Sequence, residues 1–293
     1  MTKAEQIRAH LQAGRVLVMP GVYDALSARL ATRAGFEVIF ISGYSVAATA
    51  LGEPDFGLLT QTEVVAAARA VCRATPLPVI VDADTGYGNA VNVVRTVREL
   101  AAAGAAGIFL EDQVWPKRCG HMRGKRVIPL EEQLQKLRAA IDARAEHDLF
   151  IVARTDARAA VNLEEAIRRG RAFRETGADA VFIEAPESVD ELRAVAQAVP
   201  GPLVANMIEK GVTPVQTPEQ LRALGYRLIV WPLAGLFASA RALADAYGTL
   251  RKSGTSAAMQ DRQMDFTEFN EVIGVEEKYA LDARYRTDGG TDG

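Results

Sequence analysis

The chain has 293 residues, 49% of them hydrophobic, with a formal net charge of −3. That length suits one large α/β barrel or two smaller domains, and the near-balanced charge excludes a general attraction to nucleic acid. No apolar run reaches the roughly 18 residues of a membrane span, and MTKAEQIRAH reads as a polar helix, not a signal peptide, so a cytoplasmic protein without a membrane partner is expected.

After that first helix, eight short apolar runs alternate with Ala-, Arg- and Glu-rich stretches. They are VLVMP (16–20), EVIFISG (37–43), PVIVDAD (78–84), AGIFLED (106–112), LFIVART (149–155), ADAVFIEA (178–185), PLVANM (202–207) and YRLIVWP (226–232). Eight βα periods predict a closed (β/α)8 TIM barrel. Between the runs, NAVNVVRTVRELAAAG stops at Gly104 and NLEEAIRRGRAFRETG at Gly177, each placed as a helix-ending glycine. Cys72, inside EVVAAARAVCRA, reads as a packed, inert thiol; a reducing compartment and the glycine-flanked setting of Cys119 argue against a disulfide between the two. Beyond the eighth unit, FTEFNEVIGVEEKYALDARY (266–285) reads as an additional amphipathic C-terminal helix. The expected organisation is one barrel domain over 1–286 and a disordered tail at 287–293.

Each strand starts apolar and ends in chemistry: Ser42, then Asp82 and Asp84, Glu111 and Asp112, Arg154, Glu184 and Asn206. A single strand-end Asp is as readily a helix cap, but six such ends converge on the C-terminal face, where barrel enzymes build their sites. Asp82, Asp84 and Glu111 would repel one another unless something cationic sat among them. A magnesium ion fits, with one carboxylate bound directly and the others holding its waters. Asp82 and Asp84 are two apart and share a strand face. Arg154 can clamp a carboxylate or phosphonate and Asn206 can donate to an oxyanion, so a small di-acid chelating the metal is expected. An Arg154–Glu184 salt bridge is the structural alternative, compatible with that role.

EDQVWPKRCGHMRGK (111–125) places Cys119 in a basic run, Lys117, Arg118, His121, Arg123, Lys125 and Arg126, that could hold a small anion. Nearby positive charge predicts a depressed thiol pKa, and the flanking glycines a loop able to close, which makes Cys119 a candidate general acid or base. A covalent nucleophile is also open, although no oriented Cys/His/Asn set is visible. Zinc is disfavoured, because one Cys and one His do not supply four ligands.

Together with SGYSVAATALGEPDFGLLT (42–60), VDADTGYGN (81–89), VARTDAR (152–158), FIEAP (182–186) and ANMIE (205–209), that loop resembles the isocitrate lyase/phosphoenolpyruvate mutase superfamily, from about residue 7 to about residue 285. Its KRCGH is the most specific of these motifs and resembles the lyase branch, which cleaves a C–C bond in 2-hydroxy di- or tricarboxylates. The resemblance implies that Ser42, Gly43 and Tyr44 bind a substrate carboxylate, with Asp55 helping to shape the site. It implies Asp84 as direct Mg2+ ligand (Mn2+ able to substitute), with Asp82 and Glu111 holding its waters. Lys117, Cys119, Gly120 and His121 would form a mobile gate, Cys119 protonating the departing enolate, while Arg154, Glu184 and Asn206 hold the di-acid. The base stays open among Tyr44, Glu111 through a water and a metal-bound hydroxide. In this family C-terminal helices swap between subunits, implying a homodimer or homotetramer.

Methylisocitrate lyases carry arginines for a third carboxylate where this chain has WPLAGLFASA and MDFTEFNE; Phe237 and Phe266 align with them. An unpaired third carboxylate would be costly, and Phe237, Phe266 and Trp231 suit alkyl groups. GYSV and VWPKRCGHMRGK resemble the 2-alkylmalate lyases, of the 2,3-dimethylmalate lyase and petal death protein kind, and cleavage to pyruvate and a carboxylate is expected. The alternatives are methylisocitrate cleavage, oxaloacetate hydrolysis or decarboxylation, a carboxyphosphonoenolpyruvate or phosphoenolpyruvate phosphonomutase, and a non-catalytic binding barrel.

Overall fold

The structure is a computed structural model that describes residues 1–286; the tail expected at 287–293 lies outside the described residues. Eight parallel strands follow one another around a closed barrel: β1 (Leu17–Val22), β2 (Ile39–Ile41), β3 (Val79–Asp82), β4 (Gly107–Glu111), β5 (Phe150–Thr155), β6 (Ala180–Ile183), β7 (Leu203–Asn206) and β8 (Leu228–Trp231). β8 closes on β1 in the register Leu17↔Leu228 to Pro20↔Trp231. Every strand overlaps a predicted run, and the fold is the expected (β/α)8 barrel.

Successive strand residues face opposite sides, so each strand feeds two apolar layers. The inner layer fills the barrel with Leu17 and Met19, Phe40, Ile80, Phe109, Phe150 and Val152, Phe182, Val204, Leu228 and Val230. Ala4 and Ile7 of the helix Lys3–Gln12 join it. Phe109 packs between Phe40 (ring centroids 4.8 Å apart) and Phe182 (5.6 Å). The outer layer, including Ile41, Val81, Ile108, Leu110 and Ile151, packs on the surrounding helices through residues such as Val64, Val97, Leu100 and Phe173.

The helices start and stop where their caps dictate. Asn89 accepts from the backbone of Val91 and Asn92 to open Ala90–Ala102, and Asn162 does the same from Glu165 for Leu163–Glu175. Gly104 (φ +100°) and Gly177 (φ +94°) follow their ends in the left-handed region, as expected. Cys72 is buried in Gln61–Ala74, where burial pushes its thiol up to about 11, and neither cysteine is in a disulfide.

The chain divides into two compact units, residues 1–237 and 238–293. The described part of the second holds most of the helix Ala234–Ser253, the short 3-10 turn Ala257–Arg262, and the helices Phe266–Ile273 and Val275–Tyr285. The single helix expected at 266–285 is therefore two. Gly274, at φ +77°, donates its N–H to the carbonyls of Asn270 and Glu271 and ends the first. No residue of Val275–Tyr285 is buried, and Phe266, Tyr247, Tyr279 and Tyr285 are exposed. Among the described residues no helix is long and apolar enough to cross a membrane.

Candidate active site

The inner-layer positions continue upward into polar residues. Phe40 is followed two residues on by Ser42, Ile80 by Asp82, Phe109 by Glu111, Val152 by Arg154, Phe182 by Glu184 and Val204 by Asn206. Period-two geometry therefore sends all six into the barrel mouth. There Ser42, Asp82, Arg154, Glu184 and Asn206 line a cavity together with Tyr44, Asp55, Cys119 and Gly120, and Glu111, outside that lining, lies 3.3 Å from Arg154. Asp112 has the opposite parity and faces the helices, accepting from Thr155 Oγ1 (2.7 Å), Arg169 Nη1 (2.9 Å) and the Asp156 N–H (3.0 Å).

The carboxylates expected to bind metal meet as a buried group. Asp84 lies just beyond β3 at φ +47°, a strained conformation for a residue with a Cβ. Its N–H donates to Asp82 Oδ1 (3.2 Å), and Tyr87 Oη donates to its Oδ2 (3.3 Å). Burial pushes Asp84 up to about 7 against the pull of Lys117, with Asp82 and Asp55 adding repulsion; burial likewise lifts Glu111 well above the carboxylate range. Both Glu111 oxygens are buried without hydrogen bonds, and a Cβ on Gly43 would stand 3.2 Å from Asp82 Oδ2. Among the described residues no three His, Cys, Asp or Glu side chains converge to ligate one ion directly. The partnerless Glu111 oxygens beside Asp82 and Asp84 are hard oxygen donors, and they fit an ion that takes few direct carboxylates and keeps several waters, as Mg2+ does.

A metal is not the sole cation able to relieve this repulsion. Lys117 Nζ lies 2.7 Å from both Asp55 Oδ1 and Asp84 Oδ1. Burial works against its charge, yet Asp84 and Asp55 hold it strongly protonated. Arg154 lies 3.3 Å from Glu111, 3.4 Å from Glu184 and, through Nε, 2.9 Å from Asp156, with its guanidinium over the Phe182 ring. The Arg154–Glu184 contact anticipated as a structural alternative is present alongside the cavity-facing position. Asn206 Nδ2 donates to both Glu184 oxygens (3.3 and 3.2 Å), so its amide N–H groups are engaged and Oδ1 is left without a partner.

The loop 113–127 is a flap pinned at its base. Gln113 bridges antiparallel to Val127, and the N–H of Val114 donates to Arg126 O (2.8 Å). At its tip the Cys119 N–H donates to Asp55 O (3.1 Å). Gly120 packs so tightly on Glu184 that a Cβ would come within 2.5 Å of its Cδ, so close approach, more than flexibility, requires this glycine. His121 lies 3.1 Å from Glu184 through Nε2 and accepts the Val212 N–H at Nδ1 (2.9 Å), a pairing that fixes the proton on Nε2 in the neutral ring.

Two expectations for this loop are overturned. The Cys119 thiol is raised, not depressed: burial pushes it up to about 11, the His121 N–H opposing, and the charge of Lys117 is spent on Asp55 and Asp84. Nor is the basic run one anion site. Lys117 and Lys125 are buried on carboxylates, Arg118 covers the Phe56 ring, and Arg123 and Arg126 face solvent. A neutral thiol over the cavity is suited to donating a proton.

The apolar wall also differs from expectation. Trp231 has outward parity and packs on the outer layer, Phe237 is 42% exposed and outside the cavity lining, and Phe266, 83% exposed, belongs to the second unit. Phe40, Phe182, Ile208, Val230 and Leu233 line the cavity instead. Strand parity could have identified Val230; nothing local marks Tyr87, Asp156 or Lys125 as partners of the site.

The phosphoenolpyruvate phosphomutase family matches residues 7–251. The chain is 52% identical to the petal death protein of Dianthus caryophyllus (92% of this chain, 85% of that one). It is 50% identical to a chloroplastic carboxyvinyl-carboxyphosphonate phosphorylmutase of Arabidopsis thaliana (96% and 84%), and 44% identical to the 2,3-dimethylmalate lyase of Eubacterium barkeri (98% and 99%). Among solved structures, a 2,3-dimethylmalate lyase superposes with a TM-score of 0.93 at 36% identity, covering 100% of this chain and 99% of its own. A phosphonopyruvate hydrolase solved with oxalate and Mg++ superposes at 0.87 and 33%, covering 97% and 99%. These matches run over nearly the whole length, and the chain belongs to the phosphoenolpyruvate mutase/isocitrate lyase superfamily of lyases and mutases.

Proposed function

We propose that this enzyme is a metal-dependent lyase that splits a 2-alkylmalate, such as 2,3-dimethylmalate, into pyruvate and a carboxylate. The observation that carries this reading is the composition of the cavity. Among the described residues Arg154 is the one cation in its lining, and the wall between Phe40, Phe182, Ile208, Val230 and Leu233 is apolar. A di-acid with alkyl substituents suits that balance, whereas a third carboxylate would lie unpaired against carbon. The 44% identity to a 2,3-dimethylmalate lyase over nearly both full lengths supports the same choice.

Asp84 would hold Mg2+ or Mn2+, with Asp82 and Glu111 holding its waters; when bound, the ion polarises the α-hydroxy acid and stabilises developing negative charge. Ser42, with the first N–H groups of the short helix Gly43–Val46, would bind one substrate carboxylate, those N–H groups having no acceptor within their own helix. Arg154, fixed by Glu184 and Asp156, would orient the di-acid, and Asn206 would hold Glu184 in place. Glu111, whose oxygens accept no hydrogen bond, is the chain's candidate to take the hydroxyl proton through a water, whereas Tyr44, lifted above the usual phenol range first by burial and then by Cys119 and Asp55, keeps its own proton and would donate a hydrogen bond to the substrate. The C2–C3 bond then breaks, its electron pair passes to the C3 fragment, and Cys119 delivers a proton to that carbon. Lys117 and His121 would keep the flap seated by their bonds to Asp55, Asp84 and Glu184.

Proton and phosphorus NMR of the Mg2+-loaded enzyme with 2,3-dimethylmalate, 2-methylisocitrate, oxaloacetate and phosphonopyruvate tests this reading. Pyruvate and propionate from dimethylmalate alone are expected. Succinate from methylisocitrate would overturn the substrate argument, and a change confined to phosphorus would favour the mutase reading that the 50% identical relative represents. We also propose a homodimer or homotetramer with exchanged C-terminal helices, supported by the exposed Phe266, Tyr279, Leu281 and Tyr285. A sedimentation mass of one chain at micromolar concentration would contradict it. Two free thiols suit a cytoplasmic setting, which cell fractionation would test.

A further inference from the structure

Lys125 is a buried lysine with no part in the chemistry above. It sits in the returning limb of the 113–127 flap, 8% exposed, and its Nζ donates to Asp156 Oδ1 at 2.8 Å and to the carbonyl oxygen of Gly120. Asp156 is fully buried and also receives Arg154, Nε on Oδ2 at 2.9 Å and Nη2 on Oδ1 at 3.2 Å. Its backbone is fixed from behind, because its N–H donates to Asp112, which Arg169 and Thr155 hold. One carboxylate thus joins the cavity's guanidinium to the backbone of the flap tip, one residue from Cys119.

Arg154 has a choice of partners. Glu111, Asp156 and Glu184 all lie within 3.4 Å of it, and its orientation follows from how strongly each carboxylate draws it. Lys125 shares Oδ1 of Asp156 with Arg154 Nη2 and so sets how much of that charge Arg154 feels. With the flap seated, the same ammonium holds Asp156 and the Gly120 carbonyl at once. We propose that Asp156 is a positioning residue and that the Lys125–Asp156 pair couples seating of the flap to the orientation of Arg154. The clamp is then set for a di-acid when Cys119 stands over the cavity. This inference rests on the reading of the cavity as a di-acid site.

Binding of Mg2+ and oxalate, followed by calorimetry, tests it without requiring turnover. Lys125→Met should keep cooperative unfolding and Mg2+ binding, weaken oxalate about tenfold, and abolish the protection oxalate gives against trypsin cleavage after the exposed Arg123. Lys125→Arg should recover most of the affinity, and it is the variant to read if the methionine protein does not fold. The decisive comparison is the double variant with Arg154→Lys. If Lys125 acts through Arg154, Lys125→Met weakens oxalate little further in that background; a purely structural lysine would give additive losses, which would overturn the coupling. Wild-type oxalate affinity and protection in Lys125→Met would overturn it equally. Failure of the wild-type protein to bind oxalate would remove the di-acid reading as well, whereas binding with additive losses would remove the coupling alone.

Discussion

The lower and upper halves of the barrel interior are built by the same faces of the same strands, yet one is all carbon and the other mostly charge. Phe109 and Glu111 are two residues apart on β4, as are Val152 and Arg154 on β5. The lower residues stabilise the fold by excluding water. The upper ones are stable only as a mutually compensated set, since Asp84, Glu111, Glu184 and Asp156 face Lys117, Arg154 and Lys125. The lesson is that the apolar floor supplies the low dielectric in which the polar layer acts.

Substitutions in the two halves should therefore fail differently. Phe150→Ala, in the floor and away from the cavity lining, should cost about 3–5 kcal/mol of folding stability while leaving turnover per folded molecule within about twofold; chemical denaturation beside active-site titration separates the two effects. Cys119→Ser should behave oppositely, keeping its denaturation midpoint and Mg2+ binding but losing turnover by about 10²-fold or more. Near-normal turnover would remove the thiol from the mechanism.

A pH series sharpens the contrast further. Burial holds both thiols at about 11, above the usual value for a cysteine, so unfolding makes each a stronger acid. The folded state then binds more protons than the unfolded one between about pH 9 and about pH 11, and stability must fall as pH rises through that window. Denaturation of the wild-type, Cys72→Ser and Cys119→Ser proteins across it should show the slope decreasing with each thiol removed. The smallest effect belongs outside both halves. Arg241→Ala, which breaks an exposed pair with Asp245, should change stability by only about 0.3–0.5 kcal/mol in thermal denaturation.

The barrel and the six strand-end residues were legible in sequence because a period of two is a local property, and it carried Ser42, Asp82, Glu111, Arg154, Glu184 and Asn206 to one place. Asp112 shows the limit of counting polar ends without parity: one residue from Glu111, it faces the helices. What sequence misjudged was electrostatic. Lys117 and Cys119 are neighbours in the chain, but the lysine's charge goes to Asp55 and Asp84, more than thirty residues away, and burial then decides the thiol. The break at Gly274 was missed because an amphipathic pattern can persist across a left-handed glycine. Phe237 was brought to the cavity by alignment and Trp231 by its apolar character, where strand parity favours Val230 over Trp231.

The central claim is that this polar layer breaks a C–C bond and that the flap thiol returns the proton. Its most direct test is proton NMR of the Mg2+-loaded enzyme turning over 2,3-dimethylmalate in deuterium oxide. Pyruvate together with propionate carrying one deuterium at C2 is the predicted result, with both products lost in parallel in Cys119→Ser. Intact dimethylmalate after prolonged incubation with a folded, metal-loaded enzyme would contradict it.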